Sequence, residues 1–94
     1  VSIDQRLRAE ADDVYGWSNE PDDRYARHVH AYTKILYCVS GSIDFTLDDQ
    51  VIHLVVGDRM VVPAGMPHAA IVGPSGCACI EGKARRRALP DSES

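Results

Sequence analysis

Downstream of residue 24, apolar and polar positions alternate in short runs separated by turn-forming residues. Ile43, Phe45 and Leu47 fall on one side of a two-residue repeat and Asp44, Thr46 and Asp48 on the other, the pattern of a half-buried antiparallel strand. Before it, Ile35 to Val39 is apolar, and Ser40-Gly41-Ser42 reads as a tight turn. After it, Asp48-Asp49-Gln50 turns the chain into a strand over 51–56, and Gly57-Asp58 turns it again into 59–62. Pro63-Ala64-Gly65-Met66-Pro67 cannot continue a ladder, because two of its residues lack an N–H donor, so it reads as a loop delivering His68 to a strand over 69–72. Gly73-Pro74-Ser75-Gly76 reads as a further turn before a last strand over 77–81.

Upstream, the weak alternation of Val1 to Ala11 suits a strand or a short helix and is read as an opening strand, residues 12–23 as strand ends joined by a polar loop, and 24–32 as extended chain. Short strands with a turn every eight to ten residues predict an all-β antiparallel sandwich or barrel. One domain over residues 1–82 is expected, with 83–94, which lacks apolar periodicity, as a flexible C-terminal tail.

Composition adds limits. A net charge of −4 gives no general electrostatic case for a nucleic-acid or anionic-membrane partner, and Lys83 with Arg85, Arg86 and Arg87 is too short a basic run to alter that. No apolar run approaches a membrane span or a signal-peptide core, although the chain does not begin with Met. Cys38, Cys77 and Cys79 are an odd count. Cys77 and Cys79, two apart on a strand, suit buried thiols pointing one way rather than a disulfide framework, so the expected location is the reducing cytoplasm.

The candidate chemistry lies in histidines. His28 and His30 stand two apart in a stretch rich in β-branched and aromatic residues. On a strand they project to one face, about 7 Å apart by strand rise, within reach of one ion after twist and side-chain adjustment. His68 follows the Pro/Gly loop and can return to the same place; His is the commonest ligand for several divalent metals. If the strand continues unbroken, Tyr32 and Lys34 share the face of His28 and His30. His53 reads as a partly exposed strand residue, Tyr15 and Trp17 as side chains closing one end of the barrel, and Met60 and Met66 as core and loop fillers. Glu81 is within conceivable reach of the site, but nothing in its spacing places it there.

Two spaced motifs resemble the cupin superfamily. The first reads Asp22, five residues, His28-Val29-His30, three residues, Lys34, six residues, Gly41; the second reads Gly57, five residues, Pro63-Ala64-Gly65, two residues, His68, three residues, Val72. The family pattern has Gly at the place of Asp22, Glu at Lys34 and Asn at Val72. The resemblance covers residues 22–72 and implies an antiparallel double-stranded β-helix, or jelly-roll, barrel. Gly41 and Gly57 would then supply the positive φ of tight turns, and Pro63 with Gly65 would aim His68 at the barrel mouth. It further implies a divalent metal (zinc, iron, nickel or manganese) on His28, His30 and His68, a small-molecule ligand or substrate, and a homodimer.

Lys34 is the departure that matters. An ammonium ~5 Å from a dication is repelled by about 6–7 kcal/mol at an effective dielectric of ~20. Keeping it neutral at pH 7 costs about 4–5 kcal/mol. Lys34 therefore turns away, has its charge offset by a bound anion, or the site holds no metal. Two function classes follow. One is a metal-dependent enzyme of dioxygenase, isomerase or decarboxylase type acting on a small organic acid or sugar-like substrate, with Lys34 and Tyr32 as candidate catalytic residues. The other is a non-catalytic protein that binds or senses a sugar or organic acid; one version of it is metal-free, with Lys34 and the histidines as an anion site.

Overall fold

Two long strands, β3 (Lys34–Leu47) and β6 (His68–Ala84), run through both layers of the protein, and the shorter strands add to their ends. The computed structural model describes residues 2–85. Within them lie a helix, α1 (Ile3–Arg8), and the strands β1 (Ala11–Asn19), β2 (Arg24–His28), β4 (Gln50–Val55) and β5 (Arg59–Val62). Every pairing is antiparallel. One layer is β1, the C-terminal half of β6, the N-terminal half of β3, and β5; the other is β2, the N-terminal half of β6, the C-terminal half of β3, and β4. This is the expected double-stranded β-helix.

The expected turns at Ser40–Ser42 and Gly73–Gly76 are not turns. The chain continues as strand through both, and the register slips there instead: Gly41 lies opposite Cys77, but Ile43 opposite Val72. The slip sets the core. On β3 the buried positions change from Leu36 and Cys38 to Ile43, Phe45 and Leu47; on β6 they change from Ala70 and Val72 to Cys77 and Cys79. A period-2 strand without that slip would send half of these side chains to solvent. Gly/Ser-rich and Gly/Pro-rich segments suit a bulge as well as a turn, which is why the pattern misled.

Glycine is obligatory at the corner. Gly41 and Gly76 hold φ of +67° and +78°, and a Cβ on Gly41 would stand 2.0 Å from the Gly76 carbonyl oxygen. Gly57 also has positive φ, +93°, as expected for its turn, but with open space around it.

The residues read as an opening strand form α1. Ser2 caps it, accepting from the Gln5 N–H while the Gln5 side chain accepts from the Ser2 N–H. Six residues are too few to hold a helix in water alone. Leu7 anchors this one by burial with Ala11, Ile35 and Tyr37 on the outer face of the first layer. The run Ile35–Cys38 is continuously apolar because both faces of β3 are covered there. Arg85 closes the other end of α1, donating to the carbonyls of Arg8 and Ala9 at 2.8 and 2.9 Å and to Asp12 at 2.9 Å. Strand β6 thus runs two residues into the expected tail, through Lys83 and Ala84; residues 86–94 lie outside the described residues. Among the described residues no helix is long and apolar enough to cross a membrane.

Two outcomes test this account. Gly41→Ala combines a disfavoured φ with a backbone clash and is expected to cost more than about 3 kcal/mol in urea unfolding. Gly57→Ala, with strain and no clash, is expected to cost about 1–2 kcal/mol. The second outcome concerns Glu10, which accepts from Arg59 at 2.7 and 2.9 Å. That hydrogen bond holds its carboxyl below the ordinary 4.5. A carboxyl depressed by folding stabilises above its unfolded pKa and loses that contribution as pH falls through the folded one. The Tm gap between the wild type and Glu10→Gln should therefore be open at pH 6 and close as pH falls below 4.5.

Candidate functional site

The first-motif histidines leave a strand that ends sooner than expected. Strand β2 stops at His28, and residues 29–33 form a loop, so the conditional shared face of His28, His30, Tyr32 and Lys34 does not arise from one strand. His28 lies directly opposite His68 across the β2–β6 pair, and His30 follows two residues later. The Pro/Gly loop is pinned to the His30 loop: Gly65 N–H donates to the His30 carbonyl at 2.9 Å, and Ala64 N–H to the Thr33 hydroxyl at 3.1 Å. Upstream, Asp22 stands where the cupin pattern has its first glycine and takes φ of +65°. Asp is among the few residues that tolerate this conformation, so the chain path survives the replacement.

The three rings converge, with centroids 4.2 Å apart for His28 and His68, 4.9 Å for His28 and His30, and 5.2 Å for His30 and His68. One ring nitrogen of each lies within 4.8 Å of those of the other two. Nδ1 of His28 lies 2.7 Å from the Ala26 carbonyl, and Nδ1 of His68 lies 2.9 Å from the Met66 carbonyl. A carbonyl only accepts, so each Nδ1 carries the proton and each Nε2 a lone pair. Nε2 of His30 and Nε2 of His68 are buried with no hydrogen-bond partner. Buried polar atoms in this state are rare, and these two sit side by side. Burial, with Lys34 and His28 nearby, pushes His30 below its ordinary 6.5. Burial likewise pushes His68 down, against the lift from its Met66 hydrogen bond. Both are lone-pair donors at neutral pH. The grouping has the donor chemistry of a three-histidine metal site.

These rings share a cavity of ≈ 250 Å³ with Tyr15, Trp17, Tyr25, Lys34, Phe45 and Glu81. Lys34 points inward and is 6% exposed. Its charge is met by a group the sequence reading left unplaced: Glu81 Oε1, 3.5 Å from Nζ and equally buried. Lys34 pairs in register with Lys83, and Glu81 with Leu36, so the two are diagonal neighbours across β3 and β6, within reach of long side chains. Trp17 Nε1 donates to Glu81 Oε1 at 2.7 Å and Tyr15 hydroxyl to Glu81 Oε2 at 2.8 Å. Tyr15 and Trp17 thus line the cavity and hold the carboxylate, rather than only closing a barrel end. The Lys34 dilemma has an internal answer, a carboxylate supplied by the chain itself. The signal was present: Glu81 continues the inward alternation of Cys77 and Cys79, and a charge at an inward position needs a partner.

Other candidates fall elsewhere. Tyr32 stacks on the His30 ring at 5.0 Å, with the Lys83 ammonium 4.9 Å from its own ring centre, and supports a histidine instead of facing the cavity. His53 is exposed and paired with Asp44 on the outer face. Met60 is in the core and Met66 packs against it. Cys38, Cys77 and Cys79 are free and buried, as expected.

The Cupin domain family model matches residues 17–76. The chain belongs to the cupin family. Among curated proteins none matches the sequence. Solved structures agree on the cupin fold. A conserved Streptococcus pyogenes protein of unknown function superposes with a TM-score of 0.69 at 20% identity, over 84% of this chain and 65% of that one. An uncharacterized Klebsiella pneumoniae protein with a double-stranded β-helix domain gives 0.67 at 28% identity, over 80% of this chain and 66% of that one. The DMSP lyase DddQ of Ruegeria pomeroyi gives 0.71 at 20% identity, over 84% of this cupin and 40% of the lyase. The cupin described here thus spans just under two thirds of the first two relatives' length.

The Lys34–Glu81 pair sets a double-mutant test. Glu81→Gln leaves a buried ammonium without its counter-charge and is expected to cost about 3–5 kcal/mol. Lys34→Met with Glu81→Gln removes both charges and is expected to cost far less than the two single changes combined, as urea unfolding of the four proteins would read.

Proposed function

We propose that this cupin binds a divalent metal ion through Nε2 of His28, His30 and His68 and acts as a metal-dependent enzyme on a small organic acid or sugar-like molecule. The observation that carries the reading is the pair of buried, unpartnered Nε2 atoms on His30 and His68 within the three-histidine cluster. A metal ion there would supply a Lewis acid able to polarise a carbonyl or activate water. The chain's own residues would do the rest. The Ala26 and Met66 carbonyls fix the tautomers of His28 and His68, and such partners orient ligating imidazoles. Tyr32 backs His30. Trp17, Tyr25 and Phe45 give the cavity an apolar wall that limits water beside a reacting group. Lys34, held inward by Glu81, offers an acid or an anion contact. The three free thiols support a reducing, cytoplasmic setting.

One observation favours a second reading. With Lys34 in place of the motif Glu, no carboxylate among the described residues joins the trio, and Glu81 is already engaged by Lys34, Trp17 and Tyr15. A metal-free ligand-binding cupin would use the same cavity.

Elemental analysis of untagged protein decides between them. The expected result is near-stoichiometric zinc, iron, nickel or manganese, lost in His68→Ala. Saturation at a hundredfold excess over Kd should add about 2.7 kcal/mol of stability. Because His30 and His68 sit below their ordinary 6.5, retention should hold at neutral pH and fall only below pH 6.5, as protons compete for the nitrogens. Absence of metal even after reconstitution would overturn the metalloenzyme reading.

A further inference from the structure

The Lys34 side chain is more than nine-tenths buried, its ammonium has three N–H donors, and it lines the cavity beside the histidines. Its carboxylate partner stands 3.5 Å away, beyond ordinary hydrogen-bond range. The partner is not free to come closer without loss, because Trp17 and Tyr15 each hold one of its oxygens. The pair therefore balances charge, and among the described residues the Glu81 carboxylate is the one ion-pair partner of Lys34, whose ammonium carries three donors. An ammonium lining a cavity with donors to spare can receive a further acceptor, and a charged oxygen is the strongest one. The remaining wall is aromatic: Trp17, Tyr25 and Phe45, with Trp17 and Tyr25 edge to face at 5.7 Å.

We propose that Lys34 is the specificity-determining residue of the cavity, that Glu81 is the counter-charge that tempers it, and that the ligand class is a small planar carboxylic acid, bound as its anion on the Lys34 ammonium with its body along Trp17, Tyr25 and Phe45. This deepens the proposed function, choosing an organic acid over a neutral sugar. It rests on that reading only in taking the same cavity as the substrate site. Glu81 competes weakly with the ligand carboxylate and so tempers the affinity of Lys34 for it.

The test uses benzoate and its neutral isostere benzamide as probes. Binding is read by quenching of Trp17, the single tryptophan of the chain, on zinc-treated and on metal-free protein. In the wild type, benzoate is expected to bind about tenfold or more tighter than benzamide. The Lys34→Met, Glu81→Gln double variant keeps the net charge of the cavity and avoids an unpaired buried ion, so its fold is preserved. It should lose the preference. Glu81→Gln alone, which frees the ammonium, should bind benzoate several-fold more tightly than the wild type and gain more thermal stability from it. A merely structural pair would weaken binding in both variants alike.

Equal or absent binding of the two probes to the wild type would overturn the proposal. So would a preference retained by the double variant, or Glu81→Gln weakening benzoate as much as the double change. Zinc content on the same samples separates this inference from the metal reading. A Lys34-dependent preference on protein that takes up no zinc keeps the inference and removes the metal; full zinc with no preference does the reverse.

Discussion

The contact on which the molecule turns is the approach of Gly41 to Gly76, where β3 and β6 change their buried phase together. Each strand serves the first layer with one set of alternate residues and the second with the other. Leu36 and Cys38 can then face Ile43, Phe45, Ala70 and Val72 across a single core. Without the slip, sheet hydrogen bonding could persist, but the interior would lose half its apolar lining. The site inherits its geometry from the same corner. His68 begins β6 in the second layer, and Glu81 lies beyond the slip in the first, yet both point inward.

Charge placement follows from that geometry. Lys34 points into the cavity, and its counter-charge stands on the neighbouring strand, at Glu81. The cavity thus carries an anion and a cation. Their separation and the two aromatic donors on Glu81 make the pair a fixed dipole within the barrel instead of a neutralised lining. Buried ion pairs seldom repay their desolvation, so the pair contributes little net stability even though removing one member is costly.

Much of this was legible in the chain. The alternation at Ile43–Asp48 and the turn at Gly57 predicted antiparallel strands, and the spacing of His28, His30 and His68 brought out the trio that the fold assembles. The missed features share a cause: each depends on a partner distant in sequence. Gly41 and Gly73–Gly76 read as turns because bulge and turn use the same residues, and only pairing of the two segments tells them apart. Glu81 gained meaning only with Lys34 across the register. The helix was the exception. Ser2 and Gln5 form a capping box readable from sequence, but its anchor, Leu7 on the outer face of Ile35 and Tyr37, is not.

Because β3 and β6 are each one continuous strand shared by both layers, the barrel cannot open like a clam along a seam between its sheets. Traffic to the cavity is left to the rim. There the segment holding His30 and the proline loop before His68 are tied to one another by the Gly65 and Ala64 amides. The threshold a small molecule crosses is thus fastened to the rings that would receive it. A displacement of that rim would therefore carry the imidazoles with it.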